Sequence, residues 1–509
     1  DGYITSDCDA DADVYYSHNY TNTPEEAIRD VLRAGTDVDC GGFVAKFAQS
    51  ALDKGVITEA DLDARLKKLF RVRMRLSHFD PAGPLNNIPA SVICSDYAKE
   101  LSYDGTAQGS TLLKNTDATL PLDKTALNSV AVIGPNSNYS MSIAGYYGPS
   151  RPCGLNFWNA VDAVQNFVPK TVSALGVPNV SSIDLSGIPA AVEMAKHVDQ
   201  VIMAVGTDLT FAAEGHDAIN ISVPYGQRKL IEAVAEAALK PIVILQLTSV
   251  PLDISSWLSN PKIGAIVHLG QPSVTILGVG DILFGNKAPA GRLIQTIYPE
   301  SYANEISIFD FNMRPGSSDF PRPDCPKKDW GRDCKNGTNP GRTHRFYTGE
   351  AVLPFGFGLS YTTFKYSIAN VKPGAKKLSL DPVRNILSNT KGAFISLTEM
   401  DATAPLVEYS INVTNTGTVD SDDVVLGFLT PPGAGKNGVP LQTLLAFERV
   451  HVKVGETVSV LLYPQLTDFT FTQEDGSKAV LPGEYGVRFG VREAFDQGMG
   501  FTETVLHTI

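Results

Sequence analysis

The chain has 509 residues, with 44 glycines, 32 prolines and 19% charged residues. It is too long for one hydrophobic core and too apolar for a disordered chain, so two or three folded domains are expected. With 42 basic against 55 acidic side chains the formal net charge is −13, which leaves no basic field to attract nucleic acid or an anionic membrane surface, and no run of about 18 apolar residues is present to span a bilayer.

The chain opens on Asp1-Gly2-Tyr3-Ile4-Thr5-Ser6-Asp7-Cys8-Asp9, a strand-forming run that ends in acids. A carboxylate just past the C-terminal end of a parallel strand is where barrel enzymes keep catalytic groups. Asp7 is therefore the leading catalytic candidate; the competing reading is that it caps the following helix. A strand end so loaded, with nothing before it, reads as a chain that begins inside a domain. Asp9, Asp11 and Asp13 alternate, but the run lacks the glycine and terminal glutamate of a calcium loop and is read as solvated or capping carboxylates.

Residues 25–80 read as helical. Pro24-Glu25-Glu26-Ala27-Ile28 supplies an N-terminal proline, early acids and helical apolar spacing. Thr58-Glu59-Ala60-Asp61 caps a second helix whose Leu62, Leu66, Leu69, Val72 and Leu76 share one face. The proline- and glycine-rich stretch Phe79 to Pro89 reads as a linker, drawn over residues 81–105.

A second domain is expected over 106–364. Apolar runs at Val130–Ile133, Gln200–Val205 and Pro241–Leu247 fit buried parallel strands, with helices such as Arg228–Leu239 between them. The expected fold is an open α/β sheet covered on both faces, with a ligand crevice at the loops Gly134 to Asn138 and Gly206 to Asp208. Neither loop carries the spaced glycines and ribose acid of a dinucleotide site, and no cofactor is expected. Residues 313–345 read as a polar insertion. From 365 to 509 the pattern turns all-β, with Glu408 to Gly417 and Glu456 to Leu462 alternating as sandwich strands do.

Several ordered segments carry a resemblance. They are Gly2-Tyr3-Ile4-Thr5-Ser6-Asp7-Cys8-Asp9-Ala10, Ala34-Gly35-Thr36-Asp37-Val38-Asp39-Cys40-Gly41, Leu69-Phe70-Arg71-Val72-Arg73-Met74-Arg75-Leu76 and Val130-Ala131-Val132-Ile133-Gly134-Pro135-Asn136, followed by Gly341-Arg342-Thr343-His344-Arg345-Phe346-Tyr347 and Pro354-Phe355-Gly356-Phe357-Gly358-Leu359-Ser360-Tyr361. With these the chain resembles the C-terminal two-thirds of glycoside hydrolase family 3 enzymes of the β-xylosidase type. The resemblance implies a multidomain α/β fold: residues 1–80 as the C-terminal part of a TIM-like (β/α)-barrel, then an α/β sandwich, then a fibronectin type III-like β-sandwich. It implies that Asp7 is the nucleophile of a retaining, exo-acting reaction on xylan-derived or related oligosaccharides. It also implies that the remaining barrel strands come from an upstream fragment or partner chain.

Retaining hydrolysis needs a second carboxyl group about 5 to 5.5 Å from the first. By resemblance it comes from the loop after the Val201–Val205 strand, where such enzymes carry a Glu-X-Glu-Gly-X-Asp-Arg-like segment. This chain has Phe211-Ala212-Ala213-Glu214-Gly215-His216-Asp217-Ala218, so Ala212 stands where the acid/base glutamate is expected and Ala218 where the arginine is. Three readings stay open: Glu214 takes the role after a local shift, Ala212 is an engineered substitution that traps substrate, or the chain is a natural relative with little activity. Under the last it is a structural or carbohydrate-binding extracellular protein. Thr248-Ser249-Val250-Pro251 and Gly270-Gln271-Pro272-Ser273-Val274 also depart from the family's glycine-rich turns.

His216 and Asp217 are candidates for binding a sugar hydroxyl, against a plain surface-loop role. Tyr146, Tyr147 and Trp158 are candidates for stacking on sugar rings, against a core role. Arg342, Arg345 and Tyr347 are read as pinning the returning loop to the barrel. Of six cysteines, Cys8 with Cys40 and Cys325 with Cys334 are disulfide candidates, the second pair stapling a polar loop. Asn19, Asn138, Asn179, Asn220, Asn336 and Asn412 begin Asn-X-Ser/Thr acceptors. Together these favour a secreted protein of the extracellular space or cell wall.

Overall fold

The computed structural model describes residues 2–138, 158–213, 215–272, 276–325, 334–373, 405–473 and 476–508. The chain divides into two compact units, Asp1–Val92 and Ile93–Ile509.

The first unit holds helices α1 (Ala10–Tyr16), α2 (Pro24–Ala34), α3 (Phe43–Asp53) and α4 (Glu59–Arg75). A capping box starts α2: the Thr23 hydroxyl accepts from the Glu26 N–H at 3.3 Å, and the Glu26 carboxylate accepts from the Thr23 N–H at 3.2 Å. Pro24 follows as the first helical residue, where its missing N–H costs nothing. Ala27, Ile28, Leu32, Phe43, Ala51 and Ile57 form a small core. Beside it, two extended segments run parallel, with Thr5 bridging Val38 and the Ser6 N–H donating to the Val38 carbonyl at 2.9 Å. The capping box expected at Thr58 and Asp61 is present, but no residue of α4 is buried, and Leu66, Phe70, Met74 and Leu76 stand exposed.

The second unit begins with α5 (Asp96–Gly109), whose Ser95 hydroxyl accepts from the Ala98 N–H at 3.2 Å. Residues 96–105, drawn from the sequence as the end of a linker, are therefore helical. The proline and glycine density of 79–89 masked the Ser-Asp start that follows it.

The central sheet has six strands, β1 (Thr111–Asn115), β2 (Val130–Ile133), β3 (Thr171–Ala174), β4 (Gln200–Gly206), β5 (Ile242–Leu247) and β6 (Ile263–Gly270). Their spatial order is β1-β6-β5-β4-β2-β3, all parallel except β1, which pairs antiparallel to β6. Every residue of β2, β4 and β5 is buried, which is why their sequences read as unbroken apolar runs rather than alternating ones. Between strands lie α6 (Ala160–Gln165), α7 (Ile188–Ala195), α8 (Tyr225–Ala237) and α9 (Ser255–Ser259). The order turns between β2 and β4, the switch point where open α/β sheets present their loops to ligands. Gly206 ends β4 at φ +148, and a side-chain carbon there would run into the Leu247 carbonyl, so only glycine fits.

A hairpin of β7 (Gly316–Pro321) and β8 (Asn336–Asn339) lies within the expected insertion. Beyond it come β9 (Phe364–Pro373), β10 (Val407–Asn415), β11 (Ser421–Thr430), β12 (Thr443–Val452) and β13 (Thr457–Leu462), the two-residue strands β14 (Phe471–Thr472) and β15 (Lys478–Ala479), then β16 (Glu484–Phe489) and β17 (Val505–Thr508). β14 and β15 pair with each other, and the other seven strands form a sandwich of sheets β13-β10-β9 and β12-β11-β16-β17. Residues of β10 alternate between buried and half-buried, as its sequence pattern predicts. The sandwich has its own core around Tyr409, Ile411, Tyr485 and Phe489, and its Leu426, Phe428 and Val491 also join the core of the α/β sheet.

Candidate active site

Asp7 is exposed and lies two residues past Thr5, where the two extended segments make their parallel bridge. Its Oδ1 accepts from the Cys8 N–H at 2.7 Å. The residue at the N-cap of α1 is Asp9, at φ +62 with no side-chain cap bond, so Asp7 is left out of the capping role weighed for it. Three contacts fix this strand end: the Cys8–Cys40 disulfide, the Asp9 N–H donating to the Cys40 carbonyl at 2.7 Å, and the Cys40 N–H donating to the Ser6 hydroxyl at 2.9 Å. On the neighbouring extended segment, Asp37 accepts from the Ile4 N–H at 2.9 Å and pairs with Arg65 at 3.0 Å. Asp11 corrects the solvated reading of the acidic run: it is buried, its Oδ2 has no hydrogen-bond partner among the described residues, and burial, helped by Asp39, raises its pKa. Asp13 accepts from the Ser17 hydroxyl.

In the second unit, the loop after β4 is fixed at its root. Gln227 of α8, fully buried, accepts from the Gly206 N–H at 2.9 Å and donates to the carbonyls of Gly206 and Val180 at 2.8 and 2.7 Å. The hydroxyls of Thr207 and Thr248 meet at 2.8 Å, and Thr248 also accepts from the Val250 N–H at 3.0 Å. Thr248, which stands where a glycine was expected, thus builds its own turn by side-chain bonding. The Asp208 carboxylate accepts from Thr210 N–H and hydroxyl at 2.8 and 2.6 Å, while its carbonyl accepts from the N–H groups of Phe211 and Ala212. Ala213 and His216 exchange backbone hydrogen bonds at 2.8 and 3.0 Å, with Gly215 at φ +71 between them. His216 Nε2 lies 3.2 Å from the Thr210 carbonyl, and Asp217 is exposed. Glu214 lies outside the described residues, as do Tyr146 and Tyr147. Ala212 is half-buried and offers only its backbone to hydrogen bonding.

Other residues take definite places. Trp158 packs against the α/β core, and Arg342 donates to the carbonyls of Ser307 at 3.5 Å and Asp310. Arg345 lies over the Phe346 ring, 5.3 Å from its centroid, and Tyr347 donates its hydroxyl to the Glu350 carbonyl at 3.4 Å. Cys325 and Cys334 are bonded, and Cys94 is disulfide-bonded as well. Asn19, Asn138, Asn179, Asn220 and Asn336 are exposed, while Asn412 is half-buried on β10. Among the described residues, no group of three or more His, Cys, Asp or Glu side chains is placed to hold a metal ion.

Sequence reasoning missed two supports. One is Gln227, a polar residue on the otherwise apolar face of α8 with Leu230, Ile231 and Val234; that mismatch was the available signal. The other is His268 on β6, which faces the Gln246 amide at 3.1 Å and whose burial lowers its pKa to about 4.

Comparison with known proteins gives this architecture a family. Residues 110–361 match the glycosyl hydrolase family 3 C-terminal domain and residues 423–492 a fibronectin type III-like domain. Over 96% of its length the chain is 37% identical to a probable exo-1,4-beta-xylosidase of Neosartorya fischeri, and it covers 59% of that protein. It is 32% identical over 96% of its length to beta-D-xylosidase 1 of Arabidopsis thaliana, covering 61% of it. A solved family 3 exo-beta-xylosidase in complex with a xylobiose aziridine activity-based probe superposes over the whole chain with a TM-score of 0.81 at 28% identity, and 62% of that structure is covered. The chain thus spans about three-fifths of the length of these relatives. Sheet, sandwich and ordered sequence agreement lead to one conclusion: the chain belongs to glycoside hydrolase family 3.

Proposed function

We propose that this chain provides the nucleophile and the acid/base loop of a retaining exo-β-xylosidase, releasing terminal sugars from xylan-derived or related oligosaccharides. The observation that carries the reading is Asp7, an exposed carboxylate two residues past the parallel Thr5–Val38 bridge in a chain 37% identical to a probable exo-1,4-beta-xylosidase. Asp7 attacks the anomeric carbon and forms a glycosyl ester, while Glu214 protonates the leaving oxygen and then activates water. His216 and Asp217 bind sugar hydroxyls from the same loop. No cofactor takes part in this chemistry.

The first unit supplies two parallel strand segments, whereas a barrel of this kind closes with about eight. The exposed apolar residues of α4 support docking of further strand–helix units from an upstream segment or a partner chain. The bonded cysteines and five exposed sequon asparagines support a secreted, glycosylated protein of the extracellular space or cell wall.

Ala212 favours a second reading, a family member that keeps the architecture with little turnover and acts as a structural or carbohydrate-binding protein. The deciding experiment uses the purified chain, with any copurifying polypeptide, on an aryl xyloside bearing an activated leaving group. Turnover, with a xylosyl ester trapped on the Asp7 peptide by a 2-fluoro xyloside, supports the enzyme. No ester, no burst and no rescue by azide supports the second reading.

A further inference from the structure

The second unit carries a groove of about 640 Å³ lined by Asn220, Pro251, Tyr298, Tyr302, Phe309 and Phe320, among others. Its size is that of a small-ligand site. Tyr298 and Tyr302 stack at 4.1 Å between ring centroids, and Phe309 and Phe320 lie 6.3 Å apart across a tilted pair. Phe309, Phe320 and Ile219 are exposed, and an apolar patch of this kind on a folded surface calls for an occupant.

Asn220 belongs to this wall and begins the sequon Asn220-Ile221-Ser222. The acceptor is already shaped. Asn220 Oδ1 accepts from the Ser222 N–H at 3.2 Å, the Ser222 hydroxyl donates to Glu300 at 2.8 Å, and the Ile221 carbonyl accepts from the Asp253 N–H at 2.8 Å. These bonds hold the turn to the body of the domain, and the exposed Asn220 Nδ2 has no hydrogen-bond partner among the described residues. We propose that Asn220 carries an N-linked glycan whose core N-acetylglucosamine residues fold back and seat in this groove.

A pyranose ring presents a face of C–H groups, and the acetamido methyl adds apolar surface; both suit aromatic walls, whose rings favour offset or edge contacts. Such contacts are weak for a free sugar. A short tether supplies an effective concentration on the order of mM, enough to keep a weakly held ring in place. In the modification, the Asn220 nitrogen bonds the anomeric carbon of a lipid-diphosphate-linked oligosaccharide as the C–O bond to the diphosphate breaks. The diphosphate leaves with the electron pair, and one Nδ2 proton is lost. This inference rests on the secreted, glycosylated reading proposed above but not on the catalytic one, since it needs neither Asp7 nor Glu214.

The test is production of the full chain in a secreting eukaryotic host, glycopeptide mass spectrometry, and native digestion with an endoglycosidase that cuts between the two core N-acetylglucosamines. The Asn220 glycan is expected to be present and cut several times more slowly than glycans at the other occupied sequons. The difference should vanish on denaturation and in the Phe309→Ser/Phe320→Ser variant. Asn220→Asp keeps the acceptor for the Ser222 N–H while removing the sugar, and should bind more of an apolar fluorescent dye. An unmodified Asn220, a glycan cut as fast as the others in the folded protein, or unchanged dye binding in Asn220→Asp overturns the proposal. The last outcome together with binding of free xylo-oligosaccharide would assign the groove to substrate instead.

Discussion

The Arg292 guanidinium and the Asp423 carboxylate form an ion pair between the α/β region and the β-sandwich, with side chains only 8% and 1% exposed. Asp423 also accepts from the Tyr366 hydroxyl at 2.7 Å and the Val424 N–H at 2.9 Å. Arg292 donates to the Ala290 and Gly291 carbonyls as well. Removing one partner leaves a buried charge without compensation, so Asp423→Ala is expected to cost about 3–5 kcal/mol in denaturant unfolding. The double variant Arg292→Met/Asp423→Leu should recover most of that loss. If it does not, the pair is held by its surrounding hydrogen bonds rather than by charge balance.

Gln227 ties α8 to the end of β4. Gln227→Leu keeps roughly the shape but leaves the Gly206 N–H and carbonyl unpaired, at a cost of about 1–3 kcal/mol for each group that stays buried. The expected result is a lower unfolding midpoint and faster proteolysis after residue 207. An unchanged cleavage rate would show that the Thr207–Thr248 contact alone fixes the loop root.

Stability should depend on pH through His268 and His344. Burial lowers both to about 4, with Arg345 adding to the effect at His344. Between about 4 and 6.5 the unfolded chain binds protons that the folded chain does not. Stability contributed by the neutral rings is therefore present above about 6.5 and lost as pH falls toward 4. Thermal melting across that interval should show a falling midpoint, flattened in His268→Gln. An equal slope in the variant would place the pH dependence elsewhere.

The two carboxylates proposed for catalysis predict different kinetic signatures. Asp7→Asn should abolish turnover of every xyloside. Glu214→Gln should cost about 10²- to 10⁴-fold on substrates that need a proton on the leaving group, and little on activated aryl xylosides. Equal losses on both substrate types would remove Glu214 from the acid/base role.

The buried strands were legible because every residue of β2, β4 and β5 is buried, on both faces of the sheet, so they carry no polar alternation. The antiparallel β1 was not, since Thr111-Leu112-Leu113-Lys114-Asn115 is short and ends in two polar residues; its identity comes from pairing with β6, a contact 150 residues away that no local pattern reports. At the candidate site, the strand and acidic cluster announced Asp7, while Gln227 and His268 were hidden by distance. Their roles depend on which backbone atoms a fold brings opposite them. Asp11 misled for a related reason, because spacing marks an acidic run without saying which of its members turns inward.

The edge strand β1 has a further consequence. The Leu359 N–H donates to the Leu112 carbonyl at 2.8 Å, so the start and the finish of the α/β region, matched to its family over 110–361, touch one another. A segment whose ends meet can be excised or exchanged by genetic recombination while its flanking partners keep their courses. That closure also covers part of the free edge of β1, which would otherwise be open to pairing with a stray strand, so the same clasp that makes the piece portable guards it against aggregation.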